Sequence, residues 1–235
     1  MQVSIDQALE LLNTDPLRNL SIINYLSVNP DASLQRFGNS LLVRKEGVVY
    51  ISCQHRQELN AIMANLDETD SFFASMEAWI FPIIKGNRET KWDICMQRYI
   101  LPLHIPLPPP DHPVQSLGPE HAEMMARHWP SDDGNPSSAD YIRVCLKNGP
   151  AAAVFVEGKP VSWAAVHEDG SLGFLYTKPE FRGQGYAQSV GINLIQQQRH
   201  QGKLSVACIE AGRKSLGLVF KLGFRRCGSS CWVEF

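Results

Sequence analysis

The stretch Leu172-Gly173-Phe174-Leu175-Tyr176-Thr177, followed by Arg182-Gly183-Gln184-Gly185-Tyr186-Ala187, decides how this chain is read. Its first six residues are apolar and β-favouring, and a helical pattern opens near Gln184, so the two glycines stand in a strand-to-helix turn. The first turn of a helix has N–H groups without partners inside the helix, and the aligned peptide dipoles place about half a positive charge there. A phosphate can accept those N–H groups only where no Cβ stands in the way. Gly183 and Gly185 meet that condition, and Arg182 adds a charge that can fork onto the anion. The turn is expected to hold a diphosphate.

Which diphosphate follows by elimination. A nucleoside-triphosphatase loop needs Gly-Lys-Ser/Thr, but Gly158-Lys159 is followed by Pro160 and Gly202-Lys203 by Leu204. The dinucleotide fingerprint needs a third glycine where Gln188 stands. Arg-x-x-Gly-x-Ala preceded by Thr177-Lys178-Pro179-Glu180-Phe181 resembles instead the coenzyme A signature of the GNAT acyltransferase superfamily.

Composition sets the bounds. The 235 residues allow one large or two small domains, with 44% hydrophobic and 20% charged residues, ordinary for a soluble globular chain. The net charge of −2 without a basic tract lacks the footprint of a nucleic-acid binder. No apolar run approaches the ~20 residues of a membrane span, and no secretion signal is visible, so a cytoplasmic protein is expected. Six scattered cysteines, none in a Cys-x-x-Cys pair, read as reduced, mostly buried thiols, and no metal is expected.

Along the chain, Ser4 and Gln7 have capping-box spacing, and Asp15-Pro16 reads as the start of a second helix. A hairpin is expected over 40–53, a helix over 55–66, and a strand near Trp92–Ile100, making residues 1–100 a mixed α/β domain. Residues 101–113 hold six prolines and read as a linker. Beyond it the pattern predicts a strand, two helices, strands at 151–156 and 161–167, the signature strand, a helix near 184–200, a strand at 204–209, a helix near 213–222 and a strand near 230–235. That is the segment order of the GNAT fold, and the resemblance covers 114–235. The finer likeness, through the Trp163 strand and Thr177-Lys178-Pro179-Glu180, is to the glycine N-acyltransferase-like branch. The expected class is α/β (α+β), with residues 1–100 either a separate unit or a degenerate copy of the same fold.

The resemblance implies that the signature strand splays from the strand at 204–209 and that acetyl-CoA or another acyl-CoA lies in the gap. Its pantetheine would pair with Leu175, Tyr176 and Thr177, and its diphosphate would rest on Arg182, Gly183, Gln184, Gly185, Tyr186 and Ala187, with Ser215 also in contact. If Asp169-Gly170 is a two-residue turn, Glu168 pairs with Ser171 and Trp163 with Tyr176. That aromatic pair serves either the acceptor pocket or the core. His167 then lies opposite Leu172 and reads as a turn-edge residue. Glu210, at the mouth of the gap, is the candidate base, with capping as its alternative role, and Tyr176 is the candidate acid.

The position where many family members carry a tyrosine acid holds Val219, and an asparagine position holds Gly212. Two functions stay open. One is an N-acyltransferase acting on a small-molecule, amino-acid or peptide amine; the other is an acyl-CoA-binding module without turnover. The expected assembly is a monomer or homodimer, without nucleic acid or membrane partners, and residues 1–100 are a candidate partner surface.

Overall fold

The computed structural model describes residues 1–128 and 138–235. They form two units, residues 1–96 with 229–235, and residues 97–228.

In the first unit, α1 (Ile5–Leu12) begins on a reciprocal cap, with Gln7 N–H donating to Ser4 Oγ at 3.3 Å and Ser4 N–H to Gln7 Oε1 at 3.0 Å. Asp15 closes only a single turn, accepting from Arg18 N–H at 3.2 Å, and α2 (Leu20–Val28) starts later than Asp15-Pro16 suggests. β1 (Ser33–Phe37), β2 (Ser40–Lys45) and β3 (Val48–Ser52) form an antiparallel meander, followed by α3 (Arg56–Met63), β4 (Phe72–Met76), α4 (Phe81–Lys85) and β5 (Trp92–Leu101). Alternation along the strands sorts the core onto two faces. Leu42, Ile51 and Phe73 meet Leu59, Ile62 and Ile84, whereas Leu41, Val43 and Tyr50 meet Ala8, Leu12, Ile22 and Leu26. Cys231, Val233 and Glu234 pair with the free edge of β4. A disulfide joins Cys95 to Cys231, so those two cysteines depart from the expectation of reduced thiols.

Strands β3 and β4 are parallel and pair only at Val48–Phe72 and Val49–Phe73. Polar groups around the start of α2 bridge them where they part. Arg18 donates to the carbonyl of Cys53, just past β3, and pairs with Glu77, just past β4, with Nη2 2.8 Å from Oε2. Ser52 Oγ donates to Asn19 Oδ1 at 2.7 Å, and Ser75 Oγ to Ser21 Oγ at 2.9 Å.

The second unit opens with residues 97–101 of β5. The proline-rich stretch behind them is held by Arg199, whose Nη2 donates to the carbonyls of Pro102 at 3.2 Å and Ile105 at 2.9 Å. Then come β6 (Gln115–Ser116), a 3-10 turn at Pro119–His121, α5 (Ala122–Ala126), α6 (Ser138–Asn148), β7 (Ala151–Val156), β8 (Lys159–Val166) and β9 (Ser171–Thr177). After a 3-10 turn at Pro179–Phe181 the chain continues through α7 (Tyr186–His200), β10 (Ser205–Ile209), α8 (Ser215–Lys221) and β11 (Arg225–Glu234). The sheet order is β6, β7, β8, β9, β10 and the second half of β5, antiparallel except for β9 with β10. Helix pair, three-stranded meander, helix, strand, helix, strand is the order of both units.

The β8–β9 hairpin differs from the expected register at its turn. Asp169 Oδ1 accepts from Ser171 N–H at 3.0 Å and from its hydroxyl at 2.6 Å, a local capping preference of aspartate. The loop therefore holds three residues, with His167 N–H donating to Ser171 O at 2.9 Å, and His167 faces Ser171 rather than Leu172. A bulge at Phe174, φ 55°, restores the expected pairing of Trp163 with Tyr176.

Removing the bridge at the end of β3 tests its weight in the first unit. Arg18→Met leaves Glu77 and the Cys53 carbonyl without their charged donor, and urea unfolding is expected to show a loss of about 1–3 kcal/mol. An unchanged midpoint would assign the pair no role in stability.

Candidate functional site

The site begins where β9 leaves β10. The two strands pair at Ser171–Val206 and Leu172–Ala207, and the ladder goes no further, so residues 173–177 present backbone N–H and C=O groups along one open edge. Past that edge the chain turns into α7. Gly185 caps the helix at φ 83° and Gly183 stands at φ 78°, left-handed conformations that cost a residue with a side chain about 1–2 kcal/mol. A Cβ on Gly183 would meet nothing within 4 Å, whereas one on Gly185 would meet His112 Nε2 at 3.5 Å. That histidine braces the turn. Its Nε2–H donates to Gln184 O at 2.7 Å, its backbone N–H donates to Ser189 Oγ at 3.2 Å, and its ring lies 4.3 Å from that of Tyr186.

Between this turn and α8 is a cavity of about 320 Å³. Six of the residues picked out in the sequence line it: Thr177, Arg182, Gly183, Gly185, Tyr186 and Ala187. From α8 come Gly217, Leu218 and Lys221. Lys221 was not foreseen; its one sequence signal is a lysine three residues after Leu218, on the same side of a short helix. Arg182 Nε donates to Thr177 O at 2.9 Å, and its guanidinium carbon lies 5.7 Å from the Tyr176 ring centre. Two cations, a glycine turn with open space before it, and the first turn of a fifteen-residue helix fit a diphosphate. Leu175, Tyr176, Gln184, Ser215 and Glu210 lie outside the cavity lining. Leu175 and Tyr176 belong to the open edge instead.

Residues 156–233 match the family model described as FR47-like protein. The bovine (Bos taurus) protein named glycine N-acyltransferase is 34% identical over 73 residues, 31% of this chain and 24% of that protein. The chain thus matches about a quarter of the length of such curated relatives. A Drosophila protein solved by X-ray crystallography superposes with a TM-score of 0.80 at 13% identity, covering 100% of this chain and 97% of that one. A putative acetyltransferase of the GNAT family from Novosphingobium aromaticivorans superposes at 0.57, with 16% identity and coverage of 91% and 95%. The fold is the GNAT fold.

The rest of the candidate site lies around β9. On the face turned to α5 and α6, Tyr176 packs 5.0 Å from Trp163 and 4.8 Å from His128. Trp163 is 1% exposed and belongs to the core, not to a pocket wall. Glu210 follows the end of β10, where its Oε2 accepts from Arg213 Nε at 2.7 Å. Val219 is a buried aliphatic residue on α8, and Gly212 stands in a left-handed turn before it. Burial pushes the Cys208 thiol well above its ordinary value, so it stays protonated and is a poor nucleophile. Among the described residues, no cluster of His, Cys, Asp or Glu is placed to hold a metal, and no helix is long and apolar enough to cross a membrane.

His167 packs on Phe174 with ring centres 4.1 Å apart and shares a hydrogen bond with the Tyr141 hydroxyl at 3.0 Å. Burial lowers its pKa below the ordinary imidazole value of 6.5, partly opposed by the charge of Asp169. The unfolded chain then binds the proton more readily than the folded one. The stabilisation is complete above about pH 6.5 and is lost as pH falls through the lowered folded value. His167→Phe is expected to flatten the pH dependence of the urea midpoint below about pH 6.5. An equal slope in both proteins would remove this account.

Proposed function

We propose that this chain is an acyl-CoA-dependent N-acyltransferase, moving an acetyl or longer acyl group onto the amine of a small molecule, amino acid or peptide. The observation that carries the reading is the parting of β9 from β10 beside a glycine turn, which puts an unpaired strand edge and an anion cradle in line. In this reading the amides of residues 183–187, with Arg182 and Lys221, hold the diphosphate. The pantetheine amides add a strand to the open edge at residues 175–177, where main-chain hydrogen bonds supply affinity. One N–H of that edge faces the thioester oxygen and stabilises the charge that develops there. The glycine N-acyltransferase relatives put glycine first among acceptors to try.

The leaving thiolate needs little help, because a thiol with pKa near ~8.5 leaves as the anion. Tyr176 or water supplies its proton, since Val219 offers none. That buried valine favours the second reading, an acyl-CoA-binding module without turnover.

Thermal unfolding with acetyl-CoA, longer acyl-CoAs and NADH tests binding. At about one hundred times Kd the stabilisation is ~2.7 kcal/mol, or roughly 5–10 °C in a chain of this length. A rise with acyl-CoA alone supports the reading, and no rise returns the turn to a structural role. Thiol release with glycine and a broad amine panel then separates enzyme from binding module.

Lys221→Met is expected to leave stability within about 0.5 kcal/mol. Its acyl-CoA affinity should fall about tenfold or more, the worth of one hydrogen bond from a charged group. Equal affinity would place Lys221 outside the site. Calorimetry should find one acyl-CoA per chain, because Arg18 and Glu77 bridge the corresponding gap of the first unit. Two equivalent sites would contradict that.

A further inference from the structure

We infer that His128 is the catalytic base that takes the proton of the acceptor amine. This rests on the acyl-transfer reading above and adds the residue that reading lacks. The two faces of β9 are differently occupied. On one, Phe181 and Tyr186 pack with Val190 and Leu194 of α7, beside the cavity that holds Arg182 and Lys221. A thioester reaching through the open edge from that side meets the acceptor on the other face. There the His128 imidazole lies stacked on Tyr176, with centres 4.8 Å apart and planes 26° apart, and 5.4 Å from Trp163.

His128 follows α5, and its ring is half-buried against β8 and β9. Tyr176 sits in the stretch of β9 that has left β10, so the imidazole stands beside that stretch rather than beside the paired end. Two competing groups are otherwise engaged. His167 lies at the paired end, packed on Phe174 and bonded to Tyr141, and Glu210 is held by Arg213. Among the described residues, the titratable and charged groups near His128 include Tyr176, the Arg182 guanidinium 5.7 Å from the same Tyr176 ring, and Arg127 next in the chain.

The step balances without a further reagent. The amine nitrogen forms its bond to the thioester carbon, its proton passes to a ring nitrogen of His128, and the carbon–sulfur bond breaks. The thiolate takes a proton from Tyr176 or water.

His128→Phe preserves an aromatic ring over Tyr176 and removes the proton acceptor. The expected result is an unchanged acyl-CoA thermal shift, a kcat lower by about 10²–10⁴-fold, and loss of the acid limb of kcat/KM. Added imidazole should partly restore His128→Ala. A His128→Phe enzyme within threefold of wild type, or one that keeps the acid limb, overturns the assignment. So does loss of that limb in Glu210→Gln alone. Wild-type protein that neither binds acyl-CoA nor releases thiol removes both this inference and the reading beneath it. Wild-type turnover matched by His128→Phe removes only this one.

Discussion

After Leu172 and Ala207 the two parallel strands β9 and β10 stop sharing hydrogen bonds, and the arrangement of the second unit follows from that parting. A buried strand edge must find partners for its N–H and C=O groups or leave them to a ligand. The bulge at Phe174 keeps β9 in register with β8, its left-handed φ a local strain placed where the edge opens. On one side of the open edge are the glycine turn, Arg182 and Lys221, and on the other Tyr176 and His128.

The first unit shows what happens when the same parting is closed by the protein itself. Its β3 and β4 also pair at only two positions, but three residues, 53–55, link β3 to α3 and none is glycine. No anion cradle forms there. Arg18 reaches the carbonyl past β3 and the carboxylate past β4, so a charged side chain occupies the ends that a ligand would need. One element order thus supports two outcomes, decided by a glycine turn in one unit and an arginine in the other.

The strand, turn and helix of the signature were legible because each rests on neighbours in sequence: β-favouring residues, two glycines and a helical stripe. The pairing of Trp163 with Tyr176 also came out, although through two offsetting steps. The loop was one residue longer than an Asp-Gly turn, and the Phe174 bulge took that residue back. β1 escaped notice because Ser33–Phe37 carries only Leu34 as a buried apolar residue. Nothing in local sequence could announce the Cys95–Cys231 bond, the approach of Lys221 to the glycine turn, or the stacking of His128 on Tyr176. Each joins residues that only the folded sheet brings together.

The exchange of final strands also sets an order of assembly during translation. The second unit takes residues 97–101 onto the edge of β10, and they are synthesised before that strand emerges. The first unit needs residues 231–234 to cover β4, and these are made long after β4 itself. Most of the first unit is therefore made before the second unit and completed only after it. Until then β4 waits with an uncovered edge, the kind of surface that invites pairing with another nascent chain. Contacts of such long sequence separation also close slowly.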